Sequence, residues 1–156
     1  MKYLLDASTL LPLILDYGEK IIEITTKITL YTLDLTVYEI GNSLWKLILL
    51  LKTLRQRDAE NIIHVLGELI KTRITTTIRF EELNLHRIIQ IAINEKMTFY
   101  YASYIVAAEK INATLATEDK KLREKASKYV NTIEYTKIKE TINKILTNNN
   151  PQPHIT

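Results

Sequence analysis

The feature that most limits what this chain can fold into is a repeated alternation of short, β-leaning apolar runs with amphipathic helical stretches. Tyr3-Leu4-Leu5, Thr29 to Leu35, Ile74-Thr75-Thr76-Thr77-Ile78, Ala113 to Thr117 and Val130 to Ile133 have the length and the β-branched or aromatic content of buried strands. Between them, apolar residues step by three and four. Val37, Ile40, Leu44, Leu47, Ile48 and Leu51 form one helical stripe, with Glu39 off it. Ile62, Ile63, Val65, Leu66, Leu69 and Ile70 form another, opened by Asp58, and Leu85, Ile88, Ile89 and Ala92 a third. Further helices are expected from Ser8 or Thr9 to Leu15, over 19–26, after Tyr100, over 120–128 and over 137–146. Gly18 is expected to break the chain.

Strand runs without alternating polar positions belong in a parallel sheet covered on both faces. The expected fold is therefore α/β: a three-layer α/β/α domain with a central, mainly parallel sheet of four to five strands. A chain of 156 residues with 46% apolar and 25% charged residues has enough material for one such core. A single domain is expected over 1–147, with 148–156 a disordered C-terminal tail.

In a sheet of this kind the working site lies beyond the carboxyl ends of the strands. Asp6 and Asp119 each follow a strand run, and Glu39 lies on a neighbouring helix. Three carboxylates in one crevice repel one another and suit a hard, oxygen-preferring cation such as Mg²⁺ or Mn²⁺. The competing reading is that Asp6 and Asp119 are helix N-terminal acids and Glu39 is a solvated helix residue. Residue pattern alone leaves both open.

Several chemistries are excluded. The chain has no cysteine, so disulfides, thiolate metal sites and cysteine nucleophiles are absent, and a cytoplasmic location is expected. It contains no G-x-G-x-x-G, no G-K-[ST] and no H-E-x-x-H. His64, His86 and His154 lie far apart and are expected to be surface residues. The start around Lys2 and Leu5 is similar to a secretion signal, but Asp6 interrupts it and no small-residue cleavage site follows. The apolar run 47–51 is far shorter than the roughly 20 residues that cross a bilayer. A net charge of +3 permits a polyanionic partner without requiring one. Basic residues cluster at Lys52, Arg55 and Arg57 and at Lys120, Lys121, Arg123 and Lys125.

Four segments, in order and at matching spacing, resemble the PIN-domain family of VapC-type toxin ribonucleases. Leu4-Leu5-Asp6-Ala7-Ser8 resembles the opening strand and first acid, and residues 35–42 resemble the second-acid helix, from Glu39 to Asn42. Residues 97–104 resemble the segment carrying the third acid, and residues 115–122 the strand-to-helix turn with the fourth, Asp119. One position departs: Tyr101 stands where the family places aspartate.

The resemblance implies a PIN-like fold and metal-dependent endoribonuclease activity, with Asp6, Glu39 and Asp119 as catalytic and Mg²⁺- or Mn²⁺-binding residues. Ser8, Asn42, Lys46, Tyr101, Thr117 and Glu118 are implied as supporting or substrate-contacting positions. It further implies an RNA substrate, an antitoxin protein partner and a homodimer, the helices beginning near Thr36 and Asp58 serving as the dimerising arm. Loss of an acid at Tyr101 predicts reduced activity, because even outer-shell changes cost ~10–100-fold at metal sites. The alternative is a PIN module that binds RNA or a protein without cutting. Tyr100, Tyr101 and Tyr104 are candidate base-stacking residues, although aromatic residues on helices more often pack into the core. A phosphoacceptor receiver domain also places acids at strand ends, but it needs an adjacent acidic pair, and Ala7 follows Asp6.

Overall fold

A computed structural model describes residues 1–149. Among these residues five strands, β1 (Lys2–Leu5), β2 (Thr29–Leu33), β3 (Thr75–Ile78), β4 (Thr114–Ala116) and β5 (Thr132–Ile133), form one sheet in the order β3-β2-β1-β4-β5. Every pairing is parallel, with Leu4 of β1 opposite Tyr31 on one side and Leu115 on the other. Among the described residues eight helices surround it: α1 (Ala7–Tyr17), α2 (Ile21–Ile24), α3 (Asp34–Leu49), α4 (Gln56–Lys71), α5 (Leu85–Glu95), α6 (Phe99–Ile111), α7 (Lys120–Ala126) and α8 (Tyr135–Asn149).

Successive strand residues point to opposite faces and so feed two cores. Tyr3, Leu5, Leu30 and Ala116 pack with α1, α3, α4 and α8 through Leu10, Ile40, Leu66 and Ile142. Leu4, Leu33, Ile78 and Leu115 pack on the other face with α5, α6 and α7 through Ile88, Ile105 and Leu122. The short strands are thus sealed on both sides, as their unbroken apolar runs require. No helix among the described residues is long and apolar enough to cross a membrane.

Several boundaries differ from expectation. β2 stops at Leu33, where Asp34 turns back to accept the amide of Leu35 and starts α3. α1 is capped by the Asp6 carboxylate, which accepts the Thr9 amide, and not by Ser8 or Thr9. The helix expected over 19–26 is a 3₁₀ turn at 18–20 followed by the single turn α2; Gly18, at φ +50 and ψ −125, occupies backbone space that side chains disfavour. α8 runs on through Asn149, so the first two residues of the expected tail are helical, and 150–156 lie outside the described residues. Leu51, Leu85 and Ile89, read as inward-facing, are exposed, Leu51 by 63%. Leu51 lies beyond the end of α3 at Leu49, and α5, which carries Leu85 and Ile89, is apolar over more of its circumference than the core covers.

Candidate active site

The strand order reverses direction at β1: β2 and β3 lie on one side, β4 and β5 on the other. Crevices form at such switch points, outside the carboxyl ends of the strands. A cleft of about 330 Å³ opens there, lined by Asp6, Ser8, Glu39, Ser43, Tyr101 and Asp119 against Leu11 and Pro12. A larger cavity of about 750 Å³ sits at the amino-terminal edge of the sheet; its one acid, Glu109, is held by Arg87. Chemistry therefore points to the smaller cleft.

Asp6 lies directly after β1, its amide extending the ladder to the Ala116 carbonyl at 3.2 Å. The residue is 6% exposed, and both carboxylate oxygens accept hydrogen bonds. Oδ1 accepts from the Ser8 hydroxyl at 2.6 Å, the Thr9 amide at 3.1 Å and the Thr9 hydroxyl at 3.2 Å, while Oδ2 accepts from the Thr117 hydroxyl. Burial raises the Asp6 carboxyl above its ordinary pKa, and these donors only partly offset it. Thr117 is itself buried and its oxygen accepts the Asp119 amide at 3.0 Å, so one hydroxyl joins both strand-end acids.

Glu39 reaches the cleft from the second turn of α3. Its carboxylate accepts a hydrogen bond from the Tyr104 hydroxyl, which in turn contacts the Thr36 hydroxyl at 2.7 Å. Burial, reinforced by the charge of Asp6 and opposed by the Tyr104 bond, raises Glu39 above its ordinary value. Tyr104 is 1% exposed, and burial and the charge of Glu39 push its phenol far up. It cannot stack on a base; of the two readings of this aromatic, stacking or core packing, burial selects packing.

Asp119 caps α7 by accepting the Leu122 amide at 2.8 Å through Oδ1. Its second oxygen accepts a hydrogen bond from the Tyr101 hydroxyl. Partial burial alone would raise Asp119, but the Tyr101 and Leu122 bonds, with Lys121 nearby, hold it below the ordinary carboxylate range. The same bond, with partial burial, lifts the Tyr101 phenol to about 12. The position that the family resemblance assigns to an acid thus carries a proton donor aimed at another acid.

The remaining candidates divide. Ser8 lines the cleft and accepts the Glu118 amide at 2.8 Å. The Glu118 carboxylate turns away to accept the Tyr135 amide at the start of α8, at 2.6 Å, so it does not stand in for the missing acid. Asn42 and Lys46 are exposed on α3 and do not line the cleft. Ser43 does, its hydroxyl donating to the Glu39 carbonyl at 2.9 Å. The sequence pattern does not single out Ser43 or the bond from Tyr104 to Glu39, although Tyr104 is one turn beyond Tyr101 on α6. His64 and His86 are exposed, and His154 lies outside the described residues.

A divalent cation needs several free oxygens converging on one point. Among the described residues no group of three His, Cys, Asp or Glu side chains is arranged to hold one. Asp6 already accepts from Ser8 and Thr9 on Oδ1 and from Thr117 on Oδ2, and one oxygen of Asp119 is taken by Tyr101. As they stand, these residues do not complete a cation site. They form an acid-lined cleft in which Asp6 and Glu39 hold protons more readily than usual and Asp119 is stabilised in its ionised form.

Comparison with known proteins gives a consistent set of relatives. No family profile matches the chain. Ribonuclease VapC3 of Pyrobaculum aerophilum is 34% identical over 103 residues, covering 62% of this chain and 70% of that protein. Exonuclease VapC9 of the same organism is 33% identical over 122 residues, covering 78% of this chain and 84% of that protein. Among solved structures, PAE2754 from Pyrobaculum aerophilum is 27% identical with a TM-score of 0.71, covering 92% of this chain and 96% of that one. A chain of the VapBC-1 structure from nontypeable Haemophilus influenzae, 14% identical with a TM-score of 0.52, covers 87% of this chain and 99% of that one and bears on the fold alone.

Proposed function

This chain belongs to the VapC-type PIN-domain family, and from that premise we propose that it is a toxin-type ribonuclease whose hydrolytic centre is restrained by Tyr101. The observation that carries the restraint is the hydrogen bond from Tyr101 to Asp119, at the place where the family resemblance calls for a third acid. The reading of RNA as the substrate is supported by the names of the relatives and by the acid cleft at the switch point.

In this reading each side chain has a definite task. Glu39, with its raised proton affinity, takes a proton from a water in the cleft. Asp6 is fixed in one orientation by Ser8, Thr9 and Thr117 and supplies a buried negative charge opposite it. Tyr101 keeps Asp119 occupied, so the centre turns over slowly. Mg²⁺ or Mn²⁺, the expected cofactor of the family, enters here only as a reagent in the test.

Single-stranded RNA is incubated with the purified protein, with Asp6→Asn and with Tyr101→Asp, in Mn²⁺. Slow cleavage by the protein, none by Asp6→Asn, and a gain of roughly 10–100-fold on Tyr101→Asp are expected. Cleavage unchanged in Asp6→Asn refutes the site.

A second reading, an RNA-binding module that does not cut, is favoured by the incomplete acid set. It is supported if the protein and Asp6→Asn are equally inert while both bind RNA. An antitoxin partner and a homodimer belong to the same proposal. Exposed apolar residues on α3 and α4, Trp45, Leu49 and Ile63, and in the loop that joins them, Leu51, suit protein contact.

A further inference from the structure

We infer that the groove between the start of α6 and α7 is the seat of the phosphate backbone of a single-stranded RNA, leading past Tyr101 into the acid cleft. The inference rests on the RNA reading above and adds the route by which the strand arrives.

The groove, about 450 Å³, is lined by Lys96, Met97, Thr98, Tyr101, Lys121 and Lys125. Half of these are lysines, and none is an acid. Tyr101 lines the acid cleft as well, so the two depressions share a wall. A polyanion approaching Asp6, Glu39 and Asp119 meets like charge, and it can settle there only where cations compensate along its path. The groove places them immediately beside the cleft.

The lysines have separate duties. The Lys125 ammonium donates to the carbonyls of Glu95 and Lys96, tying α7 to the end of α5. It fixes the floor and is not free to bind a ligand. Lys96 and Lys121 are exposed, and among the described residues neither makes an ion pair, whereas Lys71, Lys128 and Lys139 each do.

The other flanks fit RNA less well. The cleft lined by Leu33, Tyr38, Phe80, Phe99 and Tyr100 carries no basic residue. The second basic cluster, Lys52, Arg55 and Arg57, lies at the tip of the α3–α4 pair, with Arg55 already bound to Asp58.

The test measures binding, so it does not depend on turnover. A fluorescein-labelled oligouridylate is titrated by anisotropy at several KCl concentrations with the protein, with Lys96→Gln/Lys121→Gln, and with Lys52→Gln/Arg57→Gln as a matched loss of charge. Lys125 is left in place because it anchors backbone. The groove variant should bind about tenfold more weakly, with a salt slope smaller by about 1.4, at about 0.7 per phosphate contact in single strands. The matched variant should change less than twofold. Equal binding by the groove variant and the unsubstituted protein, or an equal loss in both variants, overturns the groove while leaving the RNA reading standing. No binding of the oligouridylate by the unsubstituted protein, with its fold verified by circular dichroism, removes both.

Discussion

Asp6 and Asp119 both follow a strand and both cap a helix, yet they sit in opposite electrostatic states. Asp6 is buried, and its partners Ser8 and Thr9 come from the next three residues, with Thr117 from the adjacent strand's end. Burial outweighs those donors and raises it. Asp119 is half-buried, and its decisive partner, Tyr101, comes from a different helix. That bond and the α7 amide outweigh burial and lower it. A carboxylate's behaviour here is thus decided by the balance of desolvation against donors, not by its position at a strand end.

The strongest way to break the contrast is Tyr101→Asp. Removing the donor and adding an acid should raise Asp119 and create affinity for Mn²⁺, by roughly 10–100-fold over the unsubstituted protein in calorimetric titration. Without Mn²⁺ the variant should melt earlier, and the ion should restore it. Absence of any gain in affinity would mean that Tyr101 is not what keeps the cation out.

A smaller effect is expected at the shared hydroxyl. Thr117→Val leaves a buried carboxylate oxygen and the Asp119 amide short of a partner, which should cost roughly 1–3 kcal/mol in urea unfolding. Tyr101→Phe, at the more exposed end, should cost less, about 0.5–1.5 kcal/mol. Equal costs would erase the distinction between the two acids.

The pH dependence is the smallest signal and has two signs. Asp6 and Glu39 are raised, so the folded chain holds their protons more tightly than the unfolded chain does. Their stabilising contribution is full below the unfolded carboxylate range, about 4, and is lost as pH rises through the raised folded values. Asp119 runs the other way: its contribution is present above that range and is lost as pH falls through its lowered folded value. Asp6→Asn should flatten the first decline in melting temperature, and Tyr101→Phe should weaken the acid-side loss. A melting temperature with the same pH profile in all three proteins would contradict both assignments.

Much of the fold is legible in the order of the residues. The unbroken apolar runs before Asp6 and around Leu115 demand a sheet sealed on both faces, and a parallel sheet puts the acids that follow its strands at one edge. Positions whose neighbours are local in sequence, such as Asp6 with Ser8 and Thr9, are readable for the same reason. Tyr101 is readable as a departure but not as a donor to Asp119, because that bond spans 18 residues and depends on how α6 packs beside α7. Tyr104 is readable as an aromatic that either packs or stacks, but its bond to Glu39 spans 65 residues and only tertiary packing sets it. Glu118 and Asp119 are adjacent, yet one faces α8 and the other the cleft, a choice made by the turn between them. Leu85 and Ile89 are misplaced by periodicity because a wide apolar face does not say how much of it the core will use, and Leu51 because the apolar pattern runs on past the end of α3 at Leu49.

The strand order also sets a timetable. β1 holds the middle of the sheet and leaves the ribosome before the other four strands, yet one of its two neighbours, β4, is made of residues 114–116. Until that late segment arrives, Leu4 and Leu5 have a bare flank, and Asp6 lacks both the Ala116 carbonyl for its amide and the Thr117 hydroxyl for its side chain. Contacts this distant along the chain close slowly. A nascent chain that has not yet reached residues 114–119 therefore carries Asp6 and Glu39 without the pocket that gives them a purpose, and the acid centre comes into being only once that segment has been made.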